Sequence, residues 1–411
     1  MTPRIETDFC VVGGGPAGLT LALLLVRSGT RVVLLERSPS LDRKFRGEIL
    51  QPSGMVLLDR LGVLGRARAR GSHEHDRFQL VDRGRVLIDG DYRKLPGPFN
   101  HLLGIPQRHV LEELLAACLD HDGFTYLPGA KATELVRQGG RVTGVVARAP
   151  GRAAVSAHCV IGADGRYSKV RRLAGIPARR LDAFGQDVLW FKLPAGGDLP
   201  RTVQVFRARG NPVLVHASVP GHVQLGWTLP HGGYQAIAKQ GVAAVKARIR
   251  AAVPPYADLV EHEIHGLGDL ALLDVFAGYA ESWVQDGLVL LGDSAHTHSP
   301  IGAQGINLAI QDAVALHPVL IESLRERDAS ACLLGRFEAQ RRPEIRRIMK
   351  LQVTQSRMML SAGWLASAVR PKAAALVSRT PVYARFLERI AFGDRTIDVA
   401  DHLFVSRPPA A

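Results

Sequence analysis

A glycine-rich turn close to the amino terminus constrains the fold of this 411-residue chain more than any other feature. Gly13, Gly15 and Gly18 follow an apolar stretch over residues 5–12 and open a stretch with helical spacing over 16–28. In this pattern the first glycine permits a sharp turn, the second lets the backbone approach a diphosphate, and the third allows close helix–strand packing. The pattern therefore predicts the strand, turn and helix that begin a dinucleotide-binding α/β domain.

A second apolar stretch over residues 31–35 ends at an acidic residue, Glu36. Its position predicts a parallel strand reached by a right-handed crossover, with the carboxylate placed to accept the ribose hydroxyls of an adenosine. Unpaired N–H groups at the start of the helix favour a diphosphate nearby. The predicted contacts in this unit are Gly13, Gly15, Pro16, Ala17, Gly18, Glu36 and Arg37.

Two further glycine-containing turns follow predicted buried strands. They contain Asp164-Gly165 and Gly292-Asp293, and the second continues into a Gly- and Asn-containing stretch over 300–312. Together with the first turn, these motifs resemble the FAD-dependent aromatic hydroxylases, the family of para-hydroxybenzoate hydroxylase and the ubiquinone-biosynthesis hydroxylases. The resemblance is strong over residues 5–60, 100–175 and 285–320, only topological over 180–280, and weak beyond 345.

The resemblance implies a site for FAD in which all three turns take part. It implies that Asp293 contacts the ribityl and diphosphate side, that Asp164 supports FAD indirectly, and that the loop after Pro300 lies along the isoalloxazine ring. Independently, a helix N-terminus is a suitable electrostatic partner for negative charge on a reduced flavin. The further predicted contacts are Arg46, Gln107, Arg108, Ala132, Asp164, Asp293, Pro300, Gly302, Ala303, Gln304, Gly305, Ile306 and Asn307.

The order of strand and helix patterns predicts an α/β fold with two interleaved domains. A Rossmann-like FAD-binding domain is interrupted by a mostly β substrate domain and followed by C-terminal helices. We also expect one helix over 235–252, one strand over 269–278, and helical structure over most of 333–411. The predicted segments are 1–72, 103–179 and 281–345 for FAD binding, 73–102 and 180–280 for substrate, and 346–411 for the helical end.

Charge and composition limit the classes of partner. The formal net charge is +14, but arginine is spread along the whole chain and only 6% of residues are aromatic, unlike a nucleic-acid-binding element. We expect a solvated basic surface, with attraction of an anionic partner such as a carrier protein as the alternative. No apolar stretch reaches the roughly 18–20 residues that span a membrane, and four widely spaced cysteines predict a cytoplasmic protein.

The resemblance implies a monooxygenase that uses NAD(P)H and O2 through a C4a-hydroperoxyflavin. It would hydroxylate or epoxidise an aromatic or polyketide-like molecule, free or tethered to a carrier. Two alternatives share the fold: an FAD-dependent reductase or dehydrogenase resembling polyprenyl reductases, and a flavin halogenase. Halogenases carry a Trp-x-Trp-x-Ile-Pro motif, whereas residues 225–230 read Leu-Gly-Trp-Thr-Leu-Pro and lack the first tryptophan. The substrate, the choice of NADH or NADPH and the oligomeric state stay open.

The mostly β middle of the chain is predicted to cover the flavin and to exclude water. Its candidate substrate contacts are Trp190, His216 and Trp227, each of which could instead simply pack the sheet. The sequence identifies no catalytic base. His296 and His298 form a His-x-His pair without a third ligand or carboxylate helper, which argues against a metal site.

Overall fold

The structure is a computed structural model that describes residues 4–42, 48–149, 151–181, 186–207, 211–300, 302–360 and 380–405. Within these residues the chain forms 21 β-strands and 11 α-helices. The strands are β1 Arg4–Val12, β2 Val32–Glu36, β3 Ile49–Leu50, β4 His73–His75, β5 Arg77–Asp82, β6 Arg85–Asp91, β7 Leu102–Gly104, β8 Phe124–Pro128, β9 Lys131–Gln138, β10 Arg141–Ala149, β11 Gly151–Gly162, β12 Ala178–Leu181, β13 Gln186–Pro194, β14 Thr202–Phe206, β15 Val213–Ser218, β16 His222–Pro230, β17 Ala271–Asp274, β18 Ala277–Ala280, β19 Val284–Gln285, β20 Leu288–Leu290 and β21 His296–Thr297. The helices are α1 Pro16–Arg27, α2 Pro52–Arg60, α3 Leu64–Ala69, α4 Gln107–Leu119, α5 Lys169–Leu173, α6 Gly233–Ala238, α7 Val242–Ala252, α8 Ala257–Glu263, α9 Gly305–Glu326, α10 Ala331–Leu360 and α11 Pro381–Phe392.

An eight-stranded sheet contains the predicted βαβ unit. Its main path is β19-β20-β11-β1-β2-β8, and β10 and β9 extend it from β11. β1 runs parallel to β2 and β11, and β20 runs parallel to β11. Every residue of β2 is buried, as is typical of a parallel strand covered on both faces. The carboxyl ends of β1, β11 and β20 therefore meet at one edge, where the three predicted turns begin.

Helix α1 is apolar around its whole circumference, and residues 17–26 are all buried. Such a helix is stable only in the interior of a protein. It packs against α4 and α9 as well as against the sheet. This packing fixes the amino-terminal end of α1 directly beside the edge at which the turns lie.

A seven-stranded sheet in the order β17-β13-β16-β15-β14-β5-β6 forms the second layer. It combines two distant parts of the chain, because β5 joins β14 by parallel pairing. One face, the outer face, packs on α6, α7 and α8 in a single apolar cluster. The interleaved α/β fold class is thus confirmed, while the exact domain boundaries stay a prediction.

Two local predictions were wrong. The helix expected over 235–252 is divided into α6 and α7, which are separated at Gly241, a residue of low helix propensity. The strand expected over 269–278 is two strands in different sheets: β17 pairs with β13, and β18 pairs with β12 and β21. Buried Val275 and Phe276 connect these two strands.

The C-terminal part of the chain is only partly helical. α11 ends at Phe392, and the described residues beyond it form one short 3-10 turn, Asp401–Leu403. Leu387 and Phe392 of α11 share an apolar cluster with Tyr92 and Val203, so this helix packs against the seven-stranded sheet. Among the described helices, none combines the length and the apolar character needed to cross a membrane.

Candidate active site at the meeting point of three turns

The first turn packs directly against the second. Gly13 has φ +117°, and a Cβ at this position would collide with the carbonyl oxygen of Ala163. Its N–H donates to the carbonyl oxygen of Leu35 (2.7 Å), and the N–H of Ala163 donates to that of Val12 (2.8 Å). A Cβ at Gly18 would likewise collide with the carbonyl oxygen of Gly13. Only glycine therefore fits at both positions, as the sequence pattern predicts.

Glu36 holds the first turn in place. Its side chain is buried, and its two carboxylate oxygens accept the N–H groups of Gly14 (2.7 Å) and Ser38 (2.8 Å). These bonds fix the carboxylate at the carboxyl end of β2, beside the first turn. The neighbouring Arg37 is exposed. The structure is compatible with the predicted ribose contact, which stays a prediction.

The second and third turns are joined through Ser294. Its hydroxyl donates to Asp164 Oδ1 (3.2 Å) and accepts the N–H of Gly165 (3.0 Å). Asp164 Oδ2 also accepts the N–H groups of Lys169 (2.6 Å) and Val170 (3.0 Å), so this carboxylate caps helix α5. The contacts of Asp164 shown here lie within the protein, and its indirect role toward FAD stays a prediction.

The third turn also touches the first. A Cβ at Gly292 would lie 3.3 Å from Cβ of Ala17 in α1 and 3.5 Å from Cβ of Ala309 in α9. Asp293, the next residue, lies with its Oδ2 3.8 Å from Nε of Arg166. Glu36, Asp164 and Asp293 are thereby grouped where the three turns meet, with the amino-terminal ends of α1 and α9 beside them.

The loop before α9 presents its backbone openly. Gly302 and Ala303 have φ values of +77° and +51°, which turn the chain sharply into the first residue of α9, Gly305. A Cβ at Gly305 would meet no atom of the described chain within 4 Å. This open, side-chain-free surface at a helix N-terminus fits a flat, negatively charged ring system. Ile306 follows within the first turn of the same helix.

Gln51 and Tyr92, which the sequence did not single out, fix this loop together with Asn307. Gln51 donates from Nε2 to the carbonyl oxygen of Gly302 (3.0 Å) and accepts at Oε1 from the hydroxyl of Tyr92 (3.2 Å). Asn307 accepts the N–H of Gln51 (3.0 Å) and donates to the carbonyl oxygen of Ala303 (2.7 Å). The side chain of Asn307 thus shapes the loop, which leaves backbone groups to face a ligand.

Gln304 connects the same loop to the C-terminal helix. Its Nε2 donates to the carbonyl oxygens of Gly302 (3.1 Å) and of Ile390 in α11 (3.0 Å). Pro300 is half-buried at the start of the loop. Helix α11 is therefore one wall of the candidate site rather than a separate appendage.

The remaining predicted FAD contacts do not belong to the three turns. Gln107 is the first residue of α4, and the exposed Arg108 donates from Nε to Glu112 (2.5 Å). Ala132 is buried in β9. Arg46 lies outside the described residues. A role in FAD binding stays a prediction for each of them.

A buried charge network supports the loop from behind. Asp312 accepts from His296 Nε2 (2.6 Å) and from Arg341 Nε (2.8 Å), and the side chains of all three residues are 0–1% exposed. Burial raises the pKa of Asp312, but His296 and Arg341 together outweigh that effect, and the pKa is lowered. The carboxylate therefore stays ionised between Arg341 and the ring of His296.

A second histidine and a glutamine extend this buried network. Gln352 Nε2 donates to the carbonyl oxygen of Ser299 (3.1 Å), so its Oε1 accepts from His298 Nδ1 (3.4 Å). Burial, together with the neighbouring His296, lowers the pKa of His298 to about 3, and its Nε2 lies 3.0 Å from His296 Nδ1. His296 and His298 thus join Asp312 and Gln352 in one buried chain of hydrogen bonds.

The inner face of the seven-stranded sheet is turned toward the loop before α9. Leu214 of this face and Ala303 of the loop pack against the same apolar cluster. Glu48, just before β3, accepts from Lys192 Nζ (2.7 Å) and from the hydroxyl of Ser218 (3.0 Å) on this face. By strand pairing, the inner face carries Val188, Trp190, Lys192, Val203, Val205, Leu214, His216, Ser218, Gln224 and Gly226.

The substrate contact predicted for Trp227 is wrong. Trp227 pairs with Leu189 and Val213 and packs with them in the outer-face cluster, away from the loop before α9. Trp190 and His216 do lie on the inner face, and their role toward a substrate stays a prediction. Successive side chains alternate between faces, so a difference of one position decides the side on which a residue lies.

Comparison with known sequences identifies the class of protein to which this fold and its converging turns belong. Residues 6–352 match the family model described as the FAD binding domain, and the chain belongs to this family. It is an FAD-dependent monooxygenase, with NAD(P)H as the usual reductant of the family. The predicted family, cofactors and enzyme class are thereby confirmed, and monooxygenase relatives do not support the reductase and halogenase alternatives.

Particular relatives agree with this assignment. The chain is 62% identical over 406 residues to a 6-methylpretetramide 4-monooxygenase of Streptomyces rimosus, covering 98% of this chain and 97% of the relative. It is 28% identical over 357 residues to the 3-demethoxyubiquinol 3-hydroxylase of Escherichia coli, covering 82% and 85%. The solved p-nitrophenol 4-monooxygenase of Pseudomonas putida has the same fold, with a TM-score of 0.83 at 21% identity, over 96% of this chain and all of that one.

Proposed function

We propose that this enzyme hydroxylates an aromatic polyketide of the 6-methylpretetramide type. The observation that carries the proposal is the 62% identity to a 6-methylpretetramide 4-monooxygenase over nearly the whole of both chains. The inner face supports it, because its apolar residues Trp190, Val205 and Leu214 offer a broad surface for a fused aromatic ring system. The substrate is proposed to lie between this face and the loop before α9.

FAD, when bound, supplies the chemistry of oxygen activation. The residues of the chain bind it, orient it and exclude water. We propose that Glu36 fixes the adenosine ribose, that Asp293 lies beside the ribityl chain, and that the N–H groups at the start of α9 face the ring. Asp312, which bonds to both His296 and Arg341, holds the segment behind that loop in place.

Product analysis with labelled oxygen tests the proposal. The FAD-loaded enzyme is incubated with 6-methylpretetramide, NADH or NADPH, and heavy-isotope O2, and the product is analysed by mass spectrometry. We expect one labelled oxygen atom in the product and oxygen uptake that depends on the polyketide. NAD(P)H oxidation without oxygen uptake would favour a reductase, and an unlabelled product would contradict the proposal.

Further features belong to the same proposal. We propose the domain boundaries given above and the segments 73–102 and 180–280 as the substrate domain. The four cysteines are free, and three of them are buried, which supports a reducing, cytoplasmic location. The substrate is proposed to be a free small molecule, and tethering to a carrier would appear as activity restricted to the carrier-bound form.

A further inference from the structure

Three polar residues form a continuous row across the inner face of the seven-stranded sheet. Lys192 pairs with Gln224, and Gln224 pairs with His216 on the next strand. Directly opposed residues of neighbouring strands lie on the same face with their side chains adjacent. We call Lys192, Gln224 and His216 the polar row. It is bordered by an apolar row in which Trp190 and Leu214 flank Gly226.

The centre of the polar row holds an unsatisfied acceptor. Gln224 is 2% exposed, and its buried Oε1 has no hydrogen-bond partner among the described residues. Leaving such a group unpaired costs roughly 1–3 kcal/mol, so buried polar groups are normally bonded. A ligand that brings an O–H donor to this position would remove that penalty.

One end of the row carries the ammonium group of Lys192, paired with a carboxylate. Lys192 Nζ lies 2.7 Å from Glu48 Oε1, and Glu48 also accepts from Ser218. An ammonium group has three N–H donors, so this ion pair leaves Lys192 able to bind a further oxygen. The side chain of Lys192 is 24% exposed, whereas that of Glu48 is 9% exposed, which makes the lysine the accessible partner.

The other end of the row is a neutral imidazole. His216 Nδ1 donates to the carbonyl oxygen of Ala217 (3.0 Å), and burial lowers its pKa, so its Nε2 carries a lone pair. Glu48 raises the pKa of His216 and Lys192 lowers it, and the rings packed at this end are His75, 5.7 Å away, and His73, 4.9 Å from His75. Burial lowers the pKa of both, so they add no charge at neutral pH.

We propose that the polar row binds the oxygen-bearing edge of the substrate, an aromatic edge with neighbouring phenol or enol oxygens. Gln224 Oε1 accepts the hydroxyl proton of one such oxygen, and Lys192 stabilises negative charge on an adjacent one, whose proton passes to solvent. The apolar row holds the fused carbon rings. This inference rests on the proposed function and adds to it the chemical feature by which the substrate is oriented.

Binding of two probes to the FAD-loaded enzyme tests the inference without requiring turnover. The probes are 1,8-dihydroxyanthraquinone and its dimethyl ether, and the readouts are protein fluorescence and visible absorption. We expect the wild type to prefer the dihydroxy probe, and Gln224→Leu to weaken that probe about 10-fold while leaving the ether unchanged. The matched control is Gln204→Leu on the outer face, where the side chain bonds only to Gln79 among the described residues and binding is expected not to change.

The colour of the bound dihydroxy probe tests the lysine separately. Phenolate absorbs at longer wavelength than phenol, so a titration of the complex gives the pKa of the bound probe. We expect this pKa to be lowered in the wild type, restored toward its free value in Lys192→Met, and still lowered in Lys192→Arg.

Three results would overturn the inference: no binding of either probe, equal binding of both probes by the wild type, or the same response in Gln224→Leu and Gln204→Leu. Because these are binding measurements, they are independent of product formation. If 6-methylpretetramide is hydroxylated but the probes are not distinguished, only the role of the polar row fails. If the probes are distinguished but no polyketide is hydroxylated, the proposed function fails.

Discussion

Replacing Asp312 by asparagine would leave a buried positive charge without its partner. Asp312 and Arg341 are both 0% exposed at a distance of 2.8 Å, and His296 donates to the other carboxylate oxygen. Removing one member of such a pair costs about 3–5 kcal/mol, because the remaining charge is uncompensated in a medium of low polarity. We therefore expect Asp312→Asn to lower the free energy of unfolding by that amount and to loosen the loop before α9.

Urea denaturation, followed by tryptophan fluorescence, measures the effect. The double variant Asp312→Asn/Arg341→Met should be less destabilised than Asp312→Asn alone, since it removes the stranded charge. Asp59→Asn, an exposed acid, is the control and should stay within about 0.5 kcal/mol of the wild type. A single variant as stable as the control would refute the reasoning.

Two further predictions concern stability. Burial lowers the pKa of His75, His298 and His317 to about 2, 3 and 4, so all three are neutral in the folded protein. The same histidines take up protons in the unfolded chain below about pH 6.5, which favours unfolding. The free energy of unfolding should therefore fall by about 2 kcal/mol per histidine from pH 7 to pH 5. Denaturation midpoints across this range check it, and a flat profile would contradict it. Gly13→Ala should yield protein that is unfolded or free of FAD, because the new Cβ collides with the backbone of the second turn. The control Gly65→Ala, whose Cβ meets open space, should behave as wild type in circular dichroism and flavin content. The same result for both variants would contradict the close packing of the turns.

The local parts of the FAD site were predictable because each depends on a short stretch of sequence. The glycine spacing and Glu36 require only a strand, a turn, a helix and a strand in succession. The convergence of the three turns followed from parallel strands, whose carboxyl ends share one edge. By contrast, the bond between Gln51 and Gly302 joins residues 251 positions apart, and no pattern within either segment indicates it.

The face of a strand was less predictable than the strand itself. The β-rich middle of the chain was recognised, yet Trp227 was assigned to the substrate and lies on the outer face. In β16 both faces are buried, since helices cover one face and the FAD-binding half covers the other. Alternating polarity, which normally identifies the inner side of a strand, is therefore weak there. The unsatisfied Gln224 is visible only once the register is known.

Titration of FAD into the apoprotein tests most directly whether the three turns form a single site. The account predicts one FAD per chain, with affinity reduced at least about 10-fold by either Glu36→Ala or Asp293→Ala and unchanged by Asp59→Ala. Folded protein that binds no FAD, or variants at Glu36 and Asp293 that bind it as tightly as the wild type, would contradict it.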